Sequence, residues 1–229
     1  MRYLRNTSLD PHFNMSLDEW CLRHLPSGEL FFYLWRNSPS VIIGENQVAA
    51  DEVNLDYLRS HGITLARRVT GGGAVYHDLN NLNYTIVGRG ASPEPVVDAL
   101  RALGVNAELT GRNDIFVGGR KVSGYARRFE GGSEIIHGTL MYDVDIDTLT
   151  AVLDTPVSKL HGKGVASVRS RVGNLKEYLP ALGIDGLEKA LFESLRRGDP
   201  EYVLSPSDLE EVASLADSKF RRADWIFRR

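Results

Sequence analysis

Residues 67 to 78 read RRVTGGGAVYHD, two arginines running into three consecutive glycines. Glycine adds no side-chain packing and loses the most backbone freedom on folding, so three together point to something that approaches the main chain closely. Consecutive N–H groups at Gly71, Gly72 and Gly73 can form an anion-binding concavity, with Arg67 and Arg68 adding full charges beside it. Strand alternation predicts that one of those arginines faces inward and the other outward. A Walker P-loop is excluded, because there the glycines run through Lys-Ser/Thr into a helix, whereas here they lead through AVYHD towards a strand.

A second stretch, GRNDIFVGGRKVSG at 111 to 124, places Asn113 and Asp114 at the start of one strand and Lys121 on its return partner. A hairpin would bring the ammonium near the carboxylate and the amide. That is a phosphate and metal corner: Lys121 as a compact point charge, and Asp114 holding Mg²⁺ directly or through water. A third, HGKGVASVRSRVGN at 161 to 174, is a glycine-broken cationic loop carrying Lys163, Arg169 and Arg171, the composition of a lid over a reactive intermediate.

These stretches need elements to hold them. NMSLDEWCLRHLP puts Leu17, Trp20, Cys21 and Leu25 on one helical face, has Ser16 and Glu19 at capping-box spacing, and stops at Pro26. ELFFYLW and SVIIG read as strands around the turn RNSP, and a helix follows from Asp51 as N-cap to Gly62, with Val53, Tyr57 and Leu58 inward. The glycines then join the strand ITLARRV to LNYTIV, in which Leu82, Tyr84 and Ile86 alternate with their neighbours. SPEPVVDALRALG is a helix with Ser92 as N-cap and Gly104 as its stop. NDIFVGGRKVSGY turns at Gly118 and Gly119, SEIIHGTLMYDV is another strand, and Leu187, Ala190, Leu191 and Leu195 stripe a helix that ends at Gly198. Helices interleaved with hairpin-connected strands predict an α+β fold with a mixed, largely antiparallel sheet flanked by helices.

The 229 residues suit one large domain, 42% hydrophobic and 25% charged. A net charge of −3 and a pI near 6.1 argue against wholesale nucleic-acid binding, so any anion site is local. No apolar run reaches the roughly 20 residues needed to span a bilayer, and the N-terminus carries no signal core, so a cytoplasmic location is expected. The single cysteine, Cys21, excludes an internal disulfide and a Cys-rich zinc site, and its place on the apolar stripe makes it a small core residue.

Taken together, RRVTGGGAVYHDLNNLNYT, the GRNDI...GRKVSG hairpin, HGTL at 137 to 140 and KGVASVRSRVGNL resemble the lipoate-protein ligase A family. The opening NMSLDEW and LFFYLWRN look like its first helix and strand, and the match runs in order from about residue 10 to about residue 180. The resemblance implies the catalytic fold shared by biotin and lipoate ligases, which is similar to that of class II synthetases, over residues 1–229. It implies two steps: lipoate attacks the α-phosphate of ATP, with Mg²⁺, to give lipoyl-AMP, and a lysine of an acceptor lipoyl domain displaces AMP. Carried over by position, Lys121 is the catalytic lysine. The Arg68 to Val75 stretch, with Thr70, Gly71, Gly72, Gly73 and Ala74, is the lipoate-binding loop, and Tyr76 and His77 are substrate-binding residues beside it. Asn113 and Asp114 meet phosphate and Mg²⁺, while Ser123, Gly124, His137, Gly138 and Thr139 belong to the same substrate site. Lys163 and Arg169 fall in the adenylate-binding loop.

An apolar tunnel for the acyl chain is expected from Val75, Tyr76, Ile42 and Leu65. Octanoyl transferases of the same superfamily use a cysteine, and the core placement of Cys21 argues against that route. Many lipoate ligases continue past a segment like SKFRRADWIFRR into an accessory domain, and the sequence ends there, so that domain is expected to be absent. The implied roles are a complete ligase, a catalytic subunit helped by a separate accessory protein, a transferase using preformed lipoyl-AMP, or a non-enzymatic binder of lipoate or lipoyl domains. Acceptors would be lipoyl domains of 2-oxoacid dehydrogenases or the glycine cleavage H protein.

Overall fold

Strand formation follows the apolar runs. The computed structural model describes residues 1–111, 113–153 and 171–228. Its strands are β1 (Arg2–Tyr3), β2 (Phe31–Trp35), β3 (Ser40–Ile43), β4 (Thr64–Arg67), β5 (Val75–His77), β6 (Asn81–Val87), β7 (Ala107–Thr110), β8 (Asp114–Val117), β9 (Arg120–Glu130) and β10 (Ser133–Met141). Its helices are α1 (Pro11–His24), α2 (Ala49–Glu52), α3 (Leu55–Ser60), α4 (Glu94–Ala102), α5 (Ile146–Val152), α6 (Gly183–Arg196), α7 (Pro206–Leu215) and α8 (Ala223–Ile226). A seven-stranded sheet runs β1-β2-β6-β10-β9-β8-β7, antiparallel except for the β1–β2 pair, and a small mixed sheet runs β4-β3-β5. The α+β expectation with a mixed, largely antiparallel sheet is therefore met. Among the described residues no helix is long and apolar enough to cross a membrane.

The large sheet is covered on both faces. Leu82, Tyr84 and Ile86 of β6 join α4 and α6 residues such as Val97, Leu187 and Leu191 on one side, while Phe31, Tyr33 and Trp35 of β2 join α1 and Val212 of α7 on the other. All seven residues of β6 are consequently buried, the alternating face of Asn81, Asn83 and Thr85 included. A third cluster packs the small sheet, through Val41, Ile43 and Tyr76, against α3 and α5.

Four local expectations are corrected. Helix α1 starts before the Ser16/Glu19 pair: Asp10 is the N-cap, its carboxylate accepting from the His12 N–H at 2.9 Å, and Ser16 lies inside the helix, donating to the Val212 carbonyl at 2.6 Å. Residues 51 to 62 form no single helix, because Val53 is extended at φ −136°, ψ 148° and buried, so α3 starts afresh with Asn54 as its cap. Pro93, not Ser92, is the residue that precedes the first turn of α4. The glycines lead into β5, which pairs with β3, before the chain reaches β6. The Gly118/Gly119 hairpin turn, with φ of 56° and 77°, and the stop of α6 before Gly198 are as expected.

Candidate active site

Strand β4 ends at Arg67 with Arg68 just past it, and the two arginines take opposite tasks; both are buried, which corrects the expectation that one would face solvent. Arg67, 0% exposed, donates to the carbonyls of Gly44, Glu45 and Gln47 at 3.0, 2.9 and 2.7 Å through Nη1. Its other nitrogens reach the carbonyls of Ile226 and Arg228. Burial, with Arg228 nearby, lowers its pKa. Arg68 turns to the glycine loop, donating from Nη2 to the Gly71 and Gly73 carbonyls at 2.8 Å each, from Nη1 to Ile42 O at 3.0 Å and from Nε to Thr70 Oγ1 at 3.0 Å. Burial brings its pKa down to about 10, which still leaves it cationic at neutral pH.

Arg68 thus spends its donors on the loop's carbonyls. No group among the described residues accepts from the N–H groups of Gly71, Gly72 or Gly73, and the last two residues are exposed. The loop is a row of free donors with a cation behind it, the electrostatic form of an anion cradle. Gly72 has φ +99°, and a Cβ there would sit 3.0 Å from Arg68 Nη2. Behind the loop, a Cβ on Gly44 would fall 2.2 Å from the Gly72 carbonyl oxygen, and the Glu45 N–H donates to Thr70 O at 2.8 Å, so the 44–47 turn braces the cradle directly.

The second corner is the β8–β9 hairpin. A bulge leaves Val122 without a partner, so Ser123 faces Ile115 and Lys121 faces Phe116. Lys121 Nζ reaches Asp114 Oδ1 at 2.7 Å, both side chains about a third exposed at 33% and 27%. The ammonium crosses over Gly124, where a Cβ would lie 2.9 Å from Nζ. Asn113 secures the corner by donating from Nδ2 to Tyr125 O at 2.9 Å. Past the undescribed stretch, the chain returns beside this strand: Lys121 N–H donates to Arg171 O at 2.8 Å and Gly173 N–H to Lys121 O at 2.9 Å. Lys163 and Arg169 lie outside the described residues.

The two corners share one open cavity. Of the sequence candidates, Arg68, Gly72, Gly73, Ala74, Val75, His77, Asn113, Lys121, Gly124, His137, Gly138 and Thr139 line it. Thr70, Gly71, Asp114 and Ser123 stand behind the wall. Tyr76 and Leu65 do not line it: strand alternation sends Val75 and Ile42 to the cavity and turns those two into the third cluster. Gly138 is bare because a Cβ would lie 2.5 Å from the Tyr84 ring on the paired strand.

Sequence reasoning missed Met15, Trp35, Asn83, Tyr125 and Ala126 on the wall, and it missed Asp18 behind it. Asp18, 1% exposed, accepts from Tyr33 OH, from Thr85 Oγ1 at 3.0 Å and from His137 Nδ1 at 2.5 Å. His137 Nε2 meets Thr70 Oγ1 at 2.7 Å, so a buried chain runs Asp18–His137–Thr70–Arg68 to the glycine loop. Asp18 sits three residues from both Met15 and Cys21, a carboxylate within an apolar stripe, and that was the available signal.

Cys21 is 0% exposed, does not line the cavity, and burial, with Asp18 near, pushes its thiol well above the usual range. Cys21→Ser is expected to leave turnover unchanged and to cost about 1–3 kcal/mol of stability through a buried hydroxyl. Denaturant titration beside an activity assay checks this, and lost acyl transfer in a stably folded variant would overturn it.

The sequence pattern of the lipoyl protein ligase A/B catalytic domain matches residues 10–196. The chain is 38% identical to the lipoate-protein ligase LplJ of Bacillus subtilis, over 100% of this chain and 74% of that one. Among solved structures it is similar to a bi-partite lipoate protein ligase from Thermoplasma acidophilum, described with its E2 lipoyl domain, at TM-score 0.88 and 32% identity, covering 99% of this chain and 95% of that one. It is also similar to a lipoate-protein ligase A bound with ATP, at TM-score 0.85 and 31% identity, covering 99% and 98%.

Proposed function

Because this chain belongs to the lipoyl protein ligase A/B catalytic domain family, we propose that it activates lipoate with ATP as lipoyl-AMP and transfers the lipoyl group to a lysine of a lipoyl domain. The observation that carries the reading is one cavity lined both by Gly72 and Gly73, whose N–H groups have no partner among the described residues, and by Lys121, whose ammonium pairs with Asp114 behind the wall. In the first step a carboxylate oxygen bonds to the α-phosphorus and the bond to pyrophosphate breaks. In the second, the acceptor amine bonds to the acyl carbon, the bond to AMP breaks, and the amine gives up its proton. Both steps concentrate negative charge near one phosphate and one acyl oxygen. Lys121 and the loop donors are fixed beforehand where that charge develops, and their stabilisation needs no reorganisation during reaction.

Asp114 fits a Mg²⁺ ion that arrives with ATP. Among the described residues no group of three His, Cys, Asp or Glu is placed to hold a metal, and Mg²⁺ is typically held by one or two carboxylates together with substrate phosphates. The ion would neutralise phosphate charge, while Lys121 on the cavity wall pairs with the Asp114 carboxylate. Acyl-enzyme transfer through Cys21 has no geometric support, since the thiol is sealed in the core.

We further read this chain as one catalytic unit whose adenylation step is assisted by a separate accessory polypeptide, by likeness to the bi-partite archaeal ligase. Lipoyl domains of 2-oxoacid dehydrogenases and the H protein are the acceptors to try. Incubation with lipoate, MgATP and an apo lipoyl domain should add one lipoyl group to the acceptor by mass, with pyrophosphate released. An unmodified acceptor, given also synthetic lipoyl-AMP, would refute the ligase reading. Assaying the half-reactions separately tests the accessory role: transfer from lipoyl-AMP should be fast and adenylation slow, because adenylation must order more components at once. Equal competence in both would discard the accessory partner.

A further inference from the structure

We infer that His77, through its Nε2–H, recognises the sulfur end of the acyl substrate and so sets a preference for lipoate over a saturated chain of equal length. The inference rests on the lipoate-ligase reading of the cavity.

The position of the proton follows from a chain of asparagines. Asn14 Nδ2 lies 3.0 Å from Ser8 O and 3.1 Å from Arg36 O, and since carbonyls only accept, its amide orientation is fixed. The same nitrogen lies 2.7 Å from Asn37 Oδ1, sharing its two protons among three acceptors, and because it can only donate, Asn37 turns its oxygen to it. Asn37 must then present Nδ2 to His77 Nδ1, 3.0 Å away, so Nδ1 accepts and the ring's single proton sits on Nε2. Burial, with Arg68 and His137 nearby, holds His77 down at about 3, so the ring is neutral at physiological pH.

That Nε2 is a buried donor without a partner, on a residue that lines the cavity and is 3% exposed. Asn83 Nδ2, also on a cavity-lining residue, lacks a partner as well. Trp35 stands edge-on to His77 at 6.0 Å and pairs across the sheet with Asn83, which groups the three. Met15, Ile42 and Val75 of the same cavity are apolar, and Lys121 serves the anionic end. An unpaired buried donor is costly, and a ligand carrying an acceptor there relieves that cost. Dithiolane sulfurs are polarisable, weak acceptors; the methylenes of an octanoyl tail offer none.

The test compares kcat/KM for lipoate and octanoate in wild type, His77→Phe and His77→Gln. Wild type should favour lipoate. His77→Phe should lose more on lipoate than on octanoate, shrinking the preference about tenfold, chiefly through the lipoate KM, as expected for one lost buried partner. His77→Gln, which retains a donor, should recover most of the preference, and in wild type the preference should stay flat between about pH 5.5 and 8. Nitrogen-15 NMR of wild-type imidazoles supplies a check that needs no variant: the His77 Nε2–H signal should move with lipoate and not with octanoate. Equal losses on both substrates, or a signal indifferent to lipoate, would overturn the inference alone. A wild-type protein that ligates neither acid overturns the inference together with the reading beneath it.

Discussion

Lys121→Ala is expected to slow ligation by roughly 10²–10³-fold, the usual effect of deleting one donor from a preorganised electrostatic site. The fold should survive. The Lys121 side chain is one-third exposed, and the partner it leaves, Asp114, keeps contact with water, at 33% and 27% exposure respectively. The strand contacts to Arg171 and Gly173 are made by the main chain and persist in the variant. Lys121→Arg should not restore activity. The ammonium lies close over Gly124 and against Asp114, a point-charge position that a planar guanidinium does not reproduce. Single-turnover kinetics with circular dichroism decide the matter: a folded alanine variant with near wild-type turnover removes Lys121 from the mechanism.

Gly44→Val should weaken binding of lipoyl-AMP about 10- to 100-fold, although Gly44 belongs to none of the sequence motifs. Its Cβ would lie 2.2 Å from Gly72 O, a backbone atom that cannot rotate away, so the glycine loop itself must shift. Displacing a preorganised loop costs on the order of 1–3 kcal/mol, which is the stated range of affinity. Gly72→Val should act similarly for a different reason, since at φ +99° a branched side chain is strained wherever it points. Calorimetry with a non-hydrolysable lipoyl-AMP analogue measures both. Unchanged affinity in the two variants would mean that the glycines serve the fold alone.

The elements of the large sheet were readable because their apolar runs are bounded by glycine pairs and prolines. The Lys121 corner was readable because a hairpin turning at Gly118 and Gly119 leaves little freedom in what it opposes. Other features depend on partners remote in sequence. Arg67 and Arg68 look alike on paper, and alternation does separate them, but nothing local says that residues 226 to 228 will bury the outer one. Asp18 belongs to the site only because β2, β6 and β10 bring Tyr33, Thr85 and His137 to it. Tyr76 was misassigned because the register of β5 on β3, which decides the side it faces, is set by pairing across 35 positions, from Tyr76 to Val41.

The Arg67 cage also imposes a timetable on biosynthesis. The guanidinium leaves the ribosome early, while the Ile226 carbonyl that takes two of its donors follows 159 positions later. At the usual 5–20 residues per second, roughly 8–30 s separate the two. Throughout that interval the brace behind the glycine loop lacks one of its sides, and a cation destined for the interior must remain hydrated. A nascent chain carrying every catalytic motif is therefore still not a binding site, and maturation of the cradle is timed by translation of residues 226 to 228.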